Sequence, residues 1–265
     1  GKYLIWSDIP NDRLLRYDET DGSVSVFMQP CNNQNGHSTD LMGRLVACEH
    51  RGRCVSRIDF DGARHVLASH FEGKRLNSPN DVVVKSDGSI WFTDPTYGID
   101  MDYEGDRAES EMGGQSNVYR IDPHDHSVSC VITDRVRPNG LAFSPDESIL
   151  YVADTGRTHR PDHPATIQAY PVNAGGRSVD AGRQWTFAVI EQGLFDGFRV
   201  DTEGRVWTSA GMGVNAYHPD GALGIRIEVG EIVGNVCFGG IKRNRLYICG
   251  QTSLYALFVN ARGAA

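Results

Sequence analysis

Five short pairs in this sequence put an Asn or Asp at the same place in a repeated pattern: Asn35-Gly36, Asn80-Asp81, Asn139-Gly140, Asp196-Gly197 and Asn235-Val236, with His37 beside the first. A single Asn or Asp ahead of a strand is ordinary turn chemistry, because these side chains bond to nearby backbone and tolerate left-handed geometry. Five at one repeat position, aimed at a common axis, call for a further reason. Amide and carboxylate oxygens gathered without cysteine suit a hard cation, calcium or magnesium, with manganese within range. An Asp buried without a counter-charge is costly, and a cation would supply that charge.

The elements that must position these residues are strands. Helical periodicity is scarce, and what recurs is a short β-run, a turn with Asp and Gly, and a second β-run rich in Trp, Tyr, Val and Ile. Clear copies span Asp81–Asp94, Gly140–Asp154, Gly197–Ser209 and Asn235–Cys249, with weaker ones at Lys2–Asp8 and around Gly43–Cys48. Aligning the second run of each brings Ile5, Val46, Trp91, Tyr151, Trp207 and Tyr247 into register. Further strands follow each copy, such as Asn117–Asp122 and Val128–Ile132. Four strands in every unit of about 40 to 50 residues, six times over, predict an all-β chain. The expected architecture is a six-bladed β-propeller of four-stranded blades, one domain over residues 1–265. A β-sandwich, or two stacked all-β domains, is the alternative. In a propeller the innermost strands line the channel, so the residues leading into them converge at one end of the axis. The first repeat begins at its second strand, and nothing after Asn260 supplies an outer strand for the last. The N-terminal closing strand and the first inner strand are therefore expected to be missing from this sequence.

Composition narrows the function classes. The 265 residues are 40% hydrophobic and carry a net charge of -8, with no cluster of Lys and Arg, which argues against nucleic acid as a partner. No apolar run approaches the ~18 residues of a membrane-spanning helix, and residues 1–8 do not read as a signal peptide. The expected location is the cytoplasm, or the periplasm should an upstream segment carry a signal. Oligomeric state is not readable. The six cysteines, Cys31, Cys48, Cys54, Cys130, Cys237 and Cys249, lack metal-type spacing and read as reduced thiols. Glu49-His50 reads either as an acid/base pair near the channel mouth or as a surface pair at a strand end. His159-Arg-Pro-Asp-His163 reads as loop rather than zinc site, and Gly113-Gly114 and Gly239-Gly240 as turns or bulges. The longest insertions, 96–115 and 155–166, are expected as loops over one face, the first with a solvated acidic surface (Asp102, Glu104, Asp106, Glu109, Glu111).

At the same motifs the chain resembles the gluconolactonase and regucalcin (senescence marker protein) family. The segments are Arg75-Leu-Asn-Ser-Pro-Asn-Asp-Val82 continuing into Gly88-Ser-Ile-Trp-Phe-Thr-Asp-Pro-Thr-Tyr-Gly98, Arg137-Pro-Asn-Gly-Leu-Ala-Phe-Ser-Pro-Asp146, and Phe195-Asp-Gly-Phe-Arg-Val-Asp201. They look like the bacterial gluconolactonase branch. The resemblance implies a metal-dependent carboxylic ester hydrolase of carbohydrate metabolism that opens sugar lactones such as glucono-1,5-lactone. Its metal ligands fall on Asn139 and Asp196, with Asn80 close to the metal or on the substrate and Asp81 beside it. The family's remaining ligand, a Glu in a Glu-Gly-Pro motif, would lie upstream of Gly1. The implied cofactor is one divalent ion, calcium first, ahead of magnesium, manganese, zinc and iron. Asp196 or the upstream Glu would take the proton from an attacking water. Asn80 and Asp81 would bind sugar hydroxyls, with Arg75 and Tyr97 on the pocket rim. The same site could instead serve pentonolactones, other lactones or phosphotriesters. A non-catalytic calcium-binding propeller is the rival from another class.

Overall fold

A computed structural model describes residues 2–264, and the chain divides into two compact units, Gly1–Pro138 and Asn139–Ala265. The first unit holds three antiparallel meanders. They are β1 (Tyr3–Asp8), β2 (Arg13–Asp18) and β3 (Val24–Met28); then β4 (Gln34–Thr39), β5 (Leu45–Glu49), β6 (Cys54–Ile58) and β7 (Arg64–Ala68). After a two-stranded ribbon, β8 (His70–Phe71) and β9 (Lys74–Arg75), come β10 (Val82–Val84), β11 (Ile90–Asp94), β12 (Asn117–Ile121) and β13 (Val128–Ile132). Between β11 and β12 lies α1 (Tyr97–Asp100), the one α-helix among the described residues.

The second unit repeats the plan. Its meanders are β14 (Pro138–Phe143) to β17 (Trp185–Ile190) through β15 (Ile149–Asp154) and β16 (Ala165–Pro171); β18 (Phe198–Val200), β19 (Val206–Ser209), β20 (Gly213–Tyr217) and β21 (Leu223–Glu228); and β22 (Val233–Gly239), β23 (Arg245–Gly250) and β24 (Leu254–Phe258). Six successive meanders make this a six-bladed β-propeller, as the repeat predicts. Four blades have four strands, and the first and last have three among the described residues. β1 carries Ile5 and so stands in the second-strand position. The stretch after β24 turns back to the fifth blade, where Gly263 bridges Asp201 and Ala264 N–H donates to the Val200 carbonyl at 3.0 Å.

The strand order explains the sequence pattern. In the five blades other than the first, the second strands have a neighbour on either side and are covered on both faces, so they read as continuous apolar runs. Val46, Trp91, Tyr151, Trp207 and Tyr247 are all buried there. Outer strands β3, β7 and β21 are largely exposed and mix Ser, Arg and Glu with their apolar residues. The hairpin between β10 and β11 turns at Asp87-Gly88, where Gly88 takes a positive φ of 85° and Asp87 Oδ1 accepts the Ser89 N–H at 2.9 Å.

Neighbouring blades are joined by apolar clusters. In the first unit Val46, Val55, Leu76, Val82, Phe92 and Tyr119 pack together, with the Phe92 and Tyr119 rings 5.5 Å apart. In the second, Tyr151, Phe187, Phe195, Phe198 and Tyr217 form one cluster, and Trp207 meets Phe238 edge-on at 5.7 Å in another. Each aromatic pair adds about 0.5–1.5 kcal/mol beyond its buried area. Among the described residues no helix is long and apolar enough to cross a membrane.

Candidate active site

The lead-in residues of successive blades touch within each unit, and the glycines beside them show how tightly. In the first unit Gly36 N–H donates to the Asn80 carbonyl at 2.8 Å. A methyl on Gly36 would stand 2.4 Å from Asp81 Oδ1 and 2.7 Å from the Asn80 carbonyl oxygen. In the second unit a methyl on Gly140 would lie 2.2 Å from the Asp196 carbonyl oxygen, and one on Gly197 2.1 Å from Asn235 Cγ. Gly197 N–H also donates to the Gly234 carbonyl at 2.8 Å. These three glycines have no side chain because the next lead-in occupies the space. The sequence signal for this packing is a Gly directly after Asn35, Asn139 and Asp196.

The five polar side chains do not all serve one purpose. Asp81 Oδ1 accepts the Val82 N–H at 2.9 Å, and Asn235 Oδ1 accepts the Val236 N–H at 2.8 Å. Both cap their own strand, which is the turn role common to these residues. Asn80 is buried and fixed through its backbone, donating its N–H to the Thr93 carbonyl at 2.8 Å. Asn139 is buried, and the half-buried Asp196 is held by its N–H donating to Ser209 Oγ at 2.8 Å.

Among the described residues no three His, Cys, Asp or Glu side chains gather as a metal site. A cation would therefore have to draw on amide oxygens. Asn139 and Asp196 meet that condition: they lead into neighbouring strands of one unit, packed so closely that Gly140 rests on the Asp196 backbone. Their donors are one amide and one carboxylate, which suits a hard divalent ion.

The other candidates are placed as follows. Arg75 is half-buried, its Nη2 donating to the Gly52 carbonyl at 3.4 Å, while its backbone N–H donates to Glu111 Oε2 at 2.7 Å. Tyr97 opens α1, and the Arg137 guanidinium lies 5.8 Å from its ring centroid. Arg137 also donates to Thr96 Oγ1 and, at 3.5 Å, to Ser116 Oγ. It thus braces the segment that carries Tyr97, a part that the motif around Arg137 does not reveal. His163 Nε2 is 3.2 Å from Asp154 Oδ2, a pair within the 155–166 insertion and the strand before it. All six cysteines are free thiols.

Glu49-His50 is not a surface pair, since both residues are fully buried. Glu49 is occupied by Arg64, two of whose nitrogens donate to it at 2.6 Å, and by the Ser56 hydroxyl at 2.5 Å. It is a structural carboxylate with no oxygen left for acid/base work. It belongs to a second series that the repeat contained but that was not separated out: acids closing the second strands, Asp8, Glu49, Asp94 and Asp154. Each takes hydrogen bonds from the segment that follows its strand or from the lead-in before it.

Asp94 is the member whose burial has the clearest electrostatic consequence. Its Oδ2 accepts the Asn77 N–H at 2.9 Å, while among the described residues no hydrogen bond reaches the buried Oδ1. Burial pushes the carboxyl up to about 7, against donations from the Asn77 and Ser78 backbone and the Arg53 charge. Folded Asp94 therefore keeps its proton up to about 7, whereas the unfolded chain releases it from the ordinary value of 3.8 upward. Its contribution to stability is present at low pH and is lost as pH rises through that window. His50 acts in the opposite sense, since burial lowers it from 6.5 to about 4 and favours unfolding as pH falls between those values. An Asp94→Asn variant isolates the first effect. It is expected to match the wild type in thermal melts near pH 4 and to melt higher near pH 8; an equal difference at both pH values would contradict this.

Known proteins resemble the chain along most of its length. A gluconolactonase from Zymomonas mobilis is 31% identical over 260 residues, covering 90% of this chain and 70% of that protein. Pentonolactonase XacC of Haloferax volcanii is 29% identical over 253 residues, covering 93% of this chain and 77% of that protein. The structure of a gluconolactonase from Xanthomonas campestris superposes with a TM-score of 0.89 at 38% identity, covering 97% of this chain and 81% of that one. Fold and relatives together define a β-propeller enzyme of lactone hydrolysis. The chain belongs to the SMP-30/Gluconolactonase/LRE-like family, whose pattern matches residues 1–252.

Proposed function

We propose that this lactone-hydrolysing enzyme opens aldonolactones such as glucono-1,5-lactone to the aldonic acid, with one divalent metal ion, calcium first, held by Asn139 and Asp196. The observation that supports the metal assignment is the packing of Gly140 onto the Asp196 backbone, which brings the residue after Asn139 against Asp196. A bound divalent ion would polarise the lactone carbonyl and stabilise the oxyanion that develops on it.

The remaining chemistry belongs to the side chains. Asp196 accepts the proton of the attacking water, a role its partial exposure allows. Ser209, bonded to the Asp196 backbone, holds that carboxylate's strand in place. Asn80 hydrogen-bonds sugar hydroxyls, while Asp81, committed to Val82, keeps the turn that presents it. The resemblance adds Asn80 as a residue close to the metal. Arg75 and Tyr97 stand on the rim, Tyr97 under Arg137.

A pentonolactone is the second reading, favoured by the Haloferax volcanii relative. Initial rates by pH indicator on glucono-1,5-lactone, a pentono-1,4-lactone and a simple ester separate the two. The proposal expects the highest kcat/KM on the six-carbon lactone. A pentonolactone preference moves the assignment to the second reading, and no turnover on any lactone would leave only a binding propeller.

A further inference from the structure

The most unusual polar group of the first unit is His50. It is fully buried, yet neither of its ring nitrogens is bonded to a charged carboxylate at hydrogen-bond distance. Nδ1 lies 3.1 Å from the Glu104 backbone carbonyl, and Glu104 Oε2 is 3.7 Å from the same nitrogen. Nε2 lies 3.2 Å from Asn35 Nδ2. The ring is clamped from above, since a methyl on Gly98 would stand 2.5 Å from His50 Cβ and 2.8 Å from Ser78 Cβ. The loop over it closes further where Gly105 packs against the Gly98 carbonyl.

These contacts determine where the proton sits. The Glu104 carbonyl can only accept, so Nδ1 must carry the hydrogen and donate. Burial holds the imidazole neutral at ordinary pH, so it has one proton to give. Nε2 is then a bare acceptor, and the group facing it has to be the Asn35 amide nitrogen. The Asn35 carbonyl oxygen must therefore point away from His50. Asn35 is partly exposed, and its backbone carbonyl is held by the Ser7 hydroxyl at 2.7 Å. Its neighbour Gly36 lies against Asn80 and Asp81, so Asn35 leads into the strand beside the residue assigned to sugar hydroxyls.

The geometry points to His50 as a positioning residue that fixes the Asn35 amide with its nitrogen inward, so that its carbonyl oxygen accepts a hydrogen bond from a hydroxyl of the lactone beside Asn80. This rests on the aldonolactone reading and extends it: the site selects polyhydroxylated lactones through an acceptor that cannot flip. A freely rotating amide could offer nitrogen or oxygen. The clamped one offers oxygen only, which discriminates against substrates with no hydroxyl there.

The test compares wild type with His50→Leu and His50→Gln on glucono-1,5-lactone and on unsubstituted δ-valerolactone. Gln can reproduce both roles, its amide nitrogen donating to the Glu104 carbonyl and its oxygen accepting from Asn35. The expected result is a rise of about tenfold in KM for the gluconolactone in the Leu variant, the worth of about one hydrogen bond. KM for valerolactone and kcat for both should stay near wild type, and Gln should recover most of the loss. An equal change on both lactones, or no recovery in Gln, overturns the assignment. Long-range proton–nitrogen NMR on the wild type reads the tautomer without any variant: hydrogen on Nδ1 is required, and hydrogen on Nε2 overturns the clamp. Wild-type protein that turns over neither lactone overturns the aldonolactone reading itself and the substrate contact with it, a result distinct from a missing KM split.

Discussion

Asp196→Ala is expected to lower kcat/KM for glucono-1,5-lactone by at least about 1,000-fold while leaving the fold intact. The proposed function puts two roles on this carboxylate, a cation ligand and the proton acceptor, and losing either would cost on the order of 100 to 1,000-fold. A thousandfold corresponds to about 4 kcal/mol of transition-state stabilisation. The side chain is half-buried, and the bond that holds its strand comes from the Asp196 backbone to Ser209, so truncation leaves that bond in place. Thermal melts should therefore shift little. Asp196→Asn keeps an oxygen ligand but loses the charge and the base, and its activity should fall between the two. Near-wild-type turnover in the Ala variant would remove Asp196 from the chemistry.

The second large effect is expected from a methyl group. Gly140→Ala places its Cβ 2.2 Å from the Asp196 carbonyl oxygen and 3.0 Å from Gly197 Cα, backbone atoms that cannot rotate aside. The strand carrying Asp196 must move by about an ångström or the strand carrying Asn139 must retreat. Overpacking of this kind costs about 1–3 kcal/mol, a fall of roughly 3–10 °C in Tm for a chain of this size. The larger consequence is chemical, because a displacement of about 1 Å at a reacting centre can cost about 100-fold. Gly175→Ala is the control, since nothing lies within 4 Å of its added methyl and its φ is not positive. Melting curves and kcat/KM on both variants check the contrast. A Gly140→Ala protein as active and stable as the Gly175→Ala protein would mean the two lead-ins have room to spare.

Much of the fold was legible because its cause is local. A strand paired on two sides and covered on two faces must be apolar throughout, and Val46, Trp91, Tyr151, Trp207 and Tyr247 announced it in register. Short strands such as β10 and β18, three residues each, were legible only as members of the repeat. The ribbon of β8 and β9 and the helix α1 were not, since two to four residues carry no periodicity.

The candidate site was legible as a set of positions and not as a set of roles. The five Asn and Asp positions stand out in the repeat, yet Asp81 and Asn235 cap their own strands, the ordinary use of such residues. Which lead-in side chain caps its own strand, and which glycine the next lead-in covers, depends on contacts between residues far apart in the chain. The same holds for His50. Its neighbour Glu49 suggested an acid/base pair, but Glu49 turns to Arg64 and His50 to Asn35 and Glu104. The acids closing the second strands were visible as letters, but their burial was not, and burial is what pushes Asp94 up and gives it a measurable pH signature.

The central claim, that oxygen ligands led by Asp196 hold a divalent ion for lactone opening, is tested most directly by one experiment. Protein stripped with a chelator and dialysed is assayed on glucono-1,5-lactone by pH indicator, with calcium, magnesium, manganese or zinc added back. Turnover is expected to fall to the uncatalysed rate on stripping and to return with calcium first, and no ion should restore it in Asp196→Ala. Full activity in the stripped protein, or equal rescue of the Asp196→Ala variant, would contradict the claim.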